Sequence, residues 1–156
     1  MKTQLSGDKL SKRLSDIVDA LPLKDGLRVL EIGCGPGAAA REVARRIGNG
    51  QILAIDRSAK AIDLATKASK AEMATNTLRF RHVAIEHFKF DKDEKPYDLA
   101  FAVRVGALDG RHPEVGKIAL TNIAKALSET GRLFIDGGNP LKEIHLGAYR
   151  RGSKHH

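Results

Sequence analysis

The stretch Arg28 to Ala40 restricts the fold of this chain more than any other. Arg28-Val29-Leu30-Glu31-Ile32 is a short apolar strand that runs directly into Gly33-Cys34-Gly35-Pro36-Gly37. Glycine tolerates positive φ and carries no side chain where another group must approach, so this run turns the chain tightly at the strand end. Pro36 is pre-set for the first turn of a helix. The alanines that follow, with Val43, Ala44 and Ile47, continue that helix until Gly48-Asn49-Gly50 breaks it.

The same alternation continues along the chain. Leu10, Leu14, Ile17, Val18 and Leu21 repeat at helical spacing ahead of Pro22. Gln51–Ile55 is a second strand, and Ser58 can cap a helix that turns Ile62, Ala65 and Ala68 or Ser69 inward. Leu78–Val83 and Tyr97–Val103 are further strands, separated by the polar loop Asp91–Pro96. Pro113–Leu127 is a helix, and Gly131–Asp136 is a fifth strand. Strands that alternate with helices, several of them near-continuous apolar runs, imply a parallel sheet covered on both faces. The expected fold class is therefore α/β, a doubly wound, mostly parallel sheet with helices on both faces. The ligand crevice of such a sheet opens at the carboxyl ends of its strands, which places it at the glycine turn.

The 156 residues suffice for one domain, spanning 1–151, with an N-terminal helix within 1–24 and a core over 25–137. Aromatic residues make up only 4% and Trp is absent, so Leu, Ile, Val and Ala must build the core. A net charge of +8 attracts anions. The bases are dispersed, however (Lys9, Lys12 and Arg13; Arg41, Arg45 and Arg46; Lys67 and Lys70; Arg79 and Arg81), mostly on expected outer helix faces. With few aromatic platforms for stacking, a nucleic-acid partner is unsupported. The lone Cys34 excludes an internal disulfide and a cysteine-based zinc site. No apolar run reaches the ~20 residues needed to span a bilayer, and the N-terminus lacks the apolar segment of a signal peptide. The expectation is a cytoplasmic protein. Gly152-Ser153-Lys154-His155-His156 reads as the remnant of an affinity tag.

Two carboxylates accompany the glycines. Glu31 lies just before the turn, where it can accept a hydrogen bond or receive an ammonium group. Asp56 ends the second strand, where a carboxylate can accept both hydroxyls of a ribose. Together they define a nucleoside site. Residues 31–37 read acidic-x-Gly-x-Gly-x-Gly, and in this the chain resembles class I S-adenosylmethionine-dependent methyltransferases over about residues 25 to 137. The resemblance implies a Rossmann-like fold, S-adenosyl-L-methionine as cofactor and methyl transfer as activity. It implies Glu31 close to the cofactor amino group, Gly33, Cys34, Gly35 and Gly37 against its methionyl part, Asp56 on the ribose and Arg57 beside the adenine. Phe80–Phe88 is similar to the family's third-strand motif, Tyr97-Asp98-Leu99 to its fourth-strand start, and Leu127–Asp136 to its approach to the fifth strand. Where the family often carries an Asp for the adenine amino group, this chain has Val83. Backbone groups of Ala84 and Ile85, or the Glu86 carboxylate, are the substitutes. Arg104, at the end of the fourth strand, joins the cofactor-binding candidates, with an anionic acceptor as its other ligand. The family's last two strands have almost no residues left after Asp136, so the full C-terminal hairpin is expected to be missing or supplied by a partner chain, as in a homodimer.

Other readings compete. Gly33-x-Gly35-x-x-Ala38 also fits a dinucleotide fingerprint, but Glu31 stands where such sites are apolar and no substrate domain follows. Cys34 is a small filler in the loop rather than a nucleophile. Asp136 and Asn139 lack the adjacent pairing of metal ligands, so no metal is expected and a loop cap is preferred. His82 and His87 read as exposed residues, and His112 as a helix-entry residue. No catalytic base is evident. A small-molecule acceptor is the first expectation, an RNA- or protein-directed methyltransferase the second, and a non-catalytic cofactor-binding module the third.

Overall fold

The structure, a computed structural model, describes residues 10–154. Met1–Lys9, His155 and His156 lie outside the described residues. Strands β1 (Arg28–Ile32), β2 (Gln51–Asp56), β3 (Leu78–His82), β4 (Tyr97–Ala102), β5 (Leu127–Asp136) and β6 (Leu141–Ile144) form one sheet in the order β3-β2-β1-β4-β5-β6. The first five are parallel, and β6 runs antiparallel to β5. The chain winds outward from β1 to β3 and then returns to the other side of β1 for β4. The order therefore reverses between β1 and β4, which is where an open α/β sheet leaves a crevice. The helices are α1 (Lys12–Ala20), α2 (Ala38–Arg46), α3 (Ala59–Ala68), α4 (Lys70–Ala74), α5 (Pro113–Ala126) and α6 (Gly147–Lys154).

Both faces of the sheet are buried, which explains the unbroken apolar strands. Val29, Ile52, Leu99, Phe101 and Phe134 pack with Val18, Val43 and Ile47 on one face. Leu30, Leu53, Ala100 and Leu133 pack with Ala119, Ile123 and Leu146 on the other. Successive residues of each strand thus feed opposite cores, as the pleat requires.

Four features differ from the sequence reading. Pro36 precedes the second helix instead of opening it, because Gly37 takes a left-handed conformation (φ 92°) and caps that helix without a side chain. The third helix is interrupted at Ser69, whose buried hydroxyl accepts a hydrogen bond from Arg41 Nη1 at 2.9 Å, and α4 follows as a separate turn. β5 begins directly at Leu127, pairs with Tyr97 and then shifts register, so that Arg132 faces Leu99. The C-terminal part carries one antiparallel edge strand where almost nothing was expected. That strand, β6, is held by a two-pronged ion pair from Arg132 to Glu143 (3.1 and 2.9 Å), and its charges also blunt the exposed sheet edge. Gly152–Lys154 lie within α6.

Candidate functional site

The glycine turn is anchored to the neighbouring strand. Gly33 and Cys34 both donate their backbone N–H to the Ile55 carbonyl, at 2.8 and 3.0 Å. Gly33 has φ 76°, and a Cβ there would lie 2.7 Å from Val105 Cγ2, so the missing side chain lets the segment after β4 cross the turn. Gly37 serves a different purpose. A Cβ on it would meet Arg41, Ala65 and Phe80 at 3.1–3.2 Å, on the α2 and α3 side.

Two cavities flank the turn. One, of about 400 Å³, is lined by Glu31, Cys34 and Gly35, with Ser11 and Leu14 from the end of α1. The other, of about 200 Å³, is lined by Asp56, Arg57, Ala84, Ile85, Glu86 and Val105. Gly33 and Arg104 border both. The structure thus gathers Glu31, Gly33, Cys34, Gly35, Asp56, Arg57, Ala84, Ile85, Glu86 and Arg104 around one turn. Gly37 lines neither cavity. A larger depression, about 670 Å³, lies between the Glu86–Phe90 segment and α5, but no buried ionisable side chain lines it.

The two acids differ sharply. Asp56 is pinned: its Oδ2 accepts from Gly35 N at 2.8 Å and its Oδ1 from Ser58 N at 2.9 Å. Each oxygen keeps a further lone pair for a ligand hydroxyl. Glu31 is only 3% exposed, and its Oε1 has no hydrogen-bond partner. Burial, and next the nearby Asp56 charge, push its carboxyl up to about 8, while Arg41 pulls the other way. A buried polar atom without a partner costs free energy, so this carboxyl is poised to accept a cationic or hydrogen-bond-donating ligand group. Cys34, by contrast, is inert. Burial and the two acids push its thiol well above the usual range, so it stays neutral and fills space.

Arg104 has φ 55°, a left-handed conformation that costs a non-glycine residue about 1–2 kcal/mol. It is held there by Asp136, whose Oδ1 accepts from Arg104 N at 3.1 Å while its Oδ2 accepts from Arg13 of α1 at 2.7 Å. Asp136 is therefore a loop cap that ties α1 to the ends of β4 and β5. Among the described residues no group of three or more His, Cys, Asp and Glu side chains could hold a metal ion. His82 Nε2 lies 3.0 Å from the Arg57 carbonyl and steadies that turn from outside the cavities. His112 stands at the entry of α5 without a side-chain capping bond.

The sequence reading missed Ser11, Leu14, Val103 and Val105 as lining residues. Leu14 belongs to an apolar stripe, and the stripe gives no sign that its first turn overhangs the site. Val105 was legible only through Gly33, the residue whose bareness admits it. No helix among the described residues is long and apolar enough to cross a membrane.

Residues 29–131 match the model of a family described as a methyltransferase domain. The probable cobalt-precorrin-6B C(15)-methyltransferase (decarboxylating) of Thermoplasma acidophilum is 34% identical over 101 residues, covering 61% of this chain and 47% of that protein. A protein-L-isoaspartate O-methyltransferase of Methanococcus aeolicus is 41% identical over 141 residues, covering 88% of this chain and 58% of that protein. The chain spans about half the length of the curated relatives it matches. Its fold is shared with phosphoethanolamine N-methyltransferase 1 of Haemonchus contortus, solved with phosphoethanolamine and S-adenosylhomocysteine, at TM-score 0.66 and 19% identity over 82% of this chain and 26% of that one.

Proposed function

The chain belongs to the class I S-adenosylmethionine-dependent methyltransferases, and from that premise we propose that it transfers a methyl group from S-adenosyl-L-methionine to a small-molecule acceptor. The observation that carries this reading is the buried, unpartnered Glu31 carboxyl beside the glycine turn, one strand away from the pinned Asp56. In this reading Glu31 receives the cofactor's ammonium group, and the backbone of Gly33, Cys34 and Gly35 lies along its methionyl part. Asp56 takes the ribose hydroxyls. Arg57, Ala84, Ile85 and Glu86 surround the adenine, and Arg104 closes the junction between the two cavities. Gly37 contributes by letting α2 pack closely and not by touching the ligand.

When bound, the cofactor would supply an electrophilic methyl group carried on its sulfonium. The chain's own residues bind, align and exclude water. Val105 over Gly33 and the Ser11–Leu14 end of α1 flank the turn on the side of the cavities. No side chain is assigned as base, and a proton lost by the acceptor passes to solvent. The likeness to protein-L-isoaspartate O-methyltransferases favours, as a second reading, a carboxyl group on a protein as acceptor.

Calorimetric titration with S-adenosylmethionine, S-adenosylhomocysteine and NAD tests the reading. Micromolar-range binding of the first two and none of NAD is expected; NAD binding without S-adenosyl binding overturns it. Asp56→Ala should weaken S-adenosylhomocysteine binding by about 1–3 kcal/mol, since it removes the ribose acceptor and frees the Gly35 and Ser58 N–H groups. Unchanged affinity in a folded variant removes Asp56 from the site.

A further inference from the structure

We propose that a third cavity, on the far side of Arg104, is an anion pocket that receives the carboxylate or phosphate of a small methyl acceptor. The assignment of acceptor rests on the methyl-transfer reading above; the binding of an anion does not. The cavity measures about 510 Å³ and opens at the carboxyl ends of β4 and β5, sharing Arg104 and Val105 with the cavity that holds Asp56.

Its charged lining consists of Arg104, Arg111, Lys142, Asp109 and Asp136. Both acids are already engaged. Asp109 accepts from Arg111 Nε at 2.7 Å and from Arg111 N at 3.0 Å. Asp136 accepts from Arg13 and from the Arg104 backbone. Among the described residues, no hydrogen bond or ion pair engages the Arg104 guanidinium or the Lys142 ammonium. The cavity therefore offers two cationic head groups that no carboxylate engages directly, and a planar or tetrahedral oxyanion can pair with them through charge-assisted hydrogen bonds.

The fold positions the backbone of both residues by identifiable means. Arg104 sits in a left-handed conformation that Asp136 stabilises, and backbone strain of this kind collects at binding sites. Lys142 is delivered by β6, where it pairs in register with Ile135, itself part of the cavity wall. The lysine stem passes over Gly137, where an added Cβ would lie 3.9 Å from Cε. The short edge strand thus has a use beyond closing the sheet, since it carries a cation to the rim of the acceptor side.

The test titrates the full chain with sodium phosphate, and separately with sodium acetate, at constant ionic strength maintained with chloride, in the presence and absence of saturating S-adenosylhomocysteine. Phosphate or acetate should bind in the millimolar range and should still bind with S-adenosylhomocysteine present. A preference for phosphate points to a phosphoryl acceptor, and a preference for acetate to a carboxylate. Lys142→Ala, at an exposed position, should lower anion affinity about fivefold. Lys142→Glu should abolish it, and both variants should keep the parent affinity for S-adenosylhomocysteine. Anion binding that ignores both substitutions, that S-adenosylhomocysteine displaces, or that is missing from the parent overturns the proposal. If S-adenosylhomocysteine fails to bind while anion binding still follows Lys142, the methyl-transfer reading falls and the anion pocket stands.

Discussion

Between about pH 5 and about pH 9 the folded chain should lose about 4 kcal/mol of stability through Glu31 alone, and Glu31→Gln should remove that loss. The carboxyl is raised from 4.5 to about 8, first by burial and second by Asp56, with Arg41 opposing. Across the interval between those two values the folded chain holds a proton that the unfolded chain has released. Stability therefore falls as pH rises through that interval, by about 1.4 kcal/mol per unit, and levels off above the folded value. Urea unfolding at several pH values, for the parent and for Glu31→Gln, checks this. Glutamine resembles the protonated acid in shape and charge, so the variant should match the parent near pH 5 and exceed it near pH 9. Parallel stability curves would show that Glu31 is ionised in the folded chain. The same proton must leave before a cofactor ammonium can pair with Glu31, so S-adenosylhomocysteine should bind more tightly as pH approaches 8. Its affinity for the glutamine variant should be lower and lack this rise.

The origin of this behaviour was half visible in the amino-acid order. An acid inside the run Val29-Leu30-Glu31-Ile32 is conspicuous because the strand is otherwise apolar on both faces, and Asp56 is conspicuous because it ends the next such run. The five parallel strands were legible for the same reason, since burial on two faces leaves long apolar runs. What stayed hidden depends on long-range geometry. The start of β5 at Leu127 is masked because Ala124, Ala126 and Leu127 extend the apolar side of α5 and read as helix. β6 is four residues long with two charges in the middle, too short and too polar to announce a strand, and its pairing with β5 decides its conformation. The covering of the glycine turn by Leu14 and Val105 depends on helix placement and on one missing Cβ. Gly37 was read as a ligand contact because it belongs to the motif, and its close approach to Ala65 and Phe80, which only the folded chain reveals, is a packing reason for a glycine there.

Phe101→Ala should cost about 3–5 kcal/mol and, unlike other core truncations, should also flatten the pH dependence of stability. Phe101 is fully buried in β4, and its register partners are Glu31 on β1 and Phe134 on β5. Partners in register project to the same face, so the ring stands beside the Glu31 carboxyl and forms part of the dry wall that raises it. Removing the ring opens a cavity with a polar group on its border, the condition under which a buried water enters. Hydration of Glu31 would return its carboxyl toward the ordinary range and shrink the pH-linked loss described above. Leu133→Ala is the control. Leu133 is equally buried, but it packs on the opposite face of the sheet, so its truncation should cost about 2–5 kcal/mol and leave the pH slope intact. Phe101→Leu, which keeps most of the volume, should fall between the parent and Phe101→Ala in both stability and slope. Chemical denaturation of all three variants near pH 6 and near pH 9 separates a general packing loss from a local change around the acid. A Phe101→Ala variant that is destabilised yet keeps the parent's full slope would mean that the ring does not shield Glu31, and the raised carboxyl would need another cause.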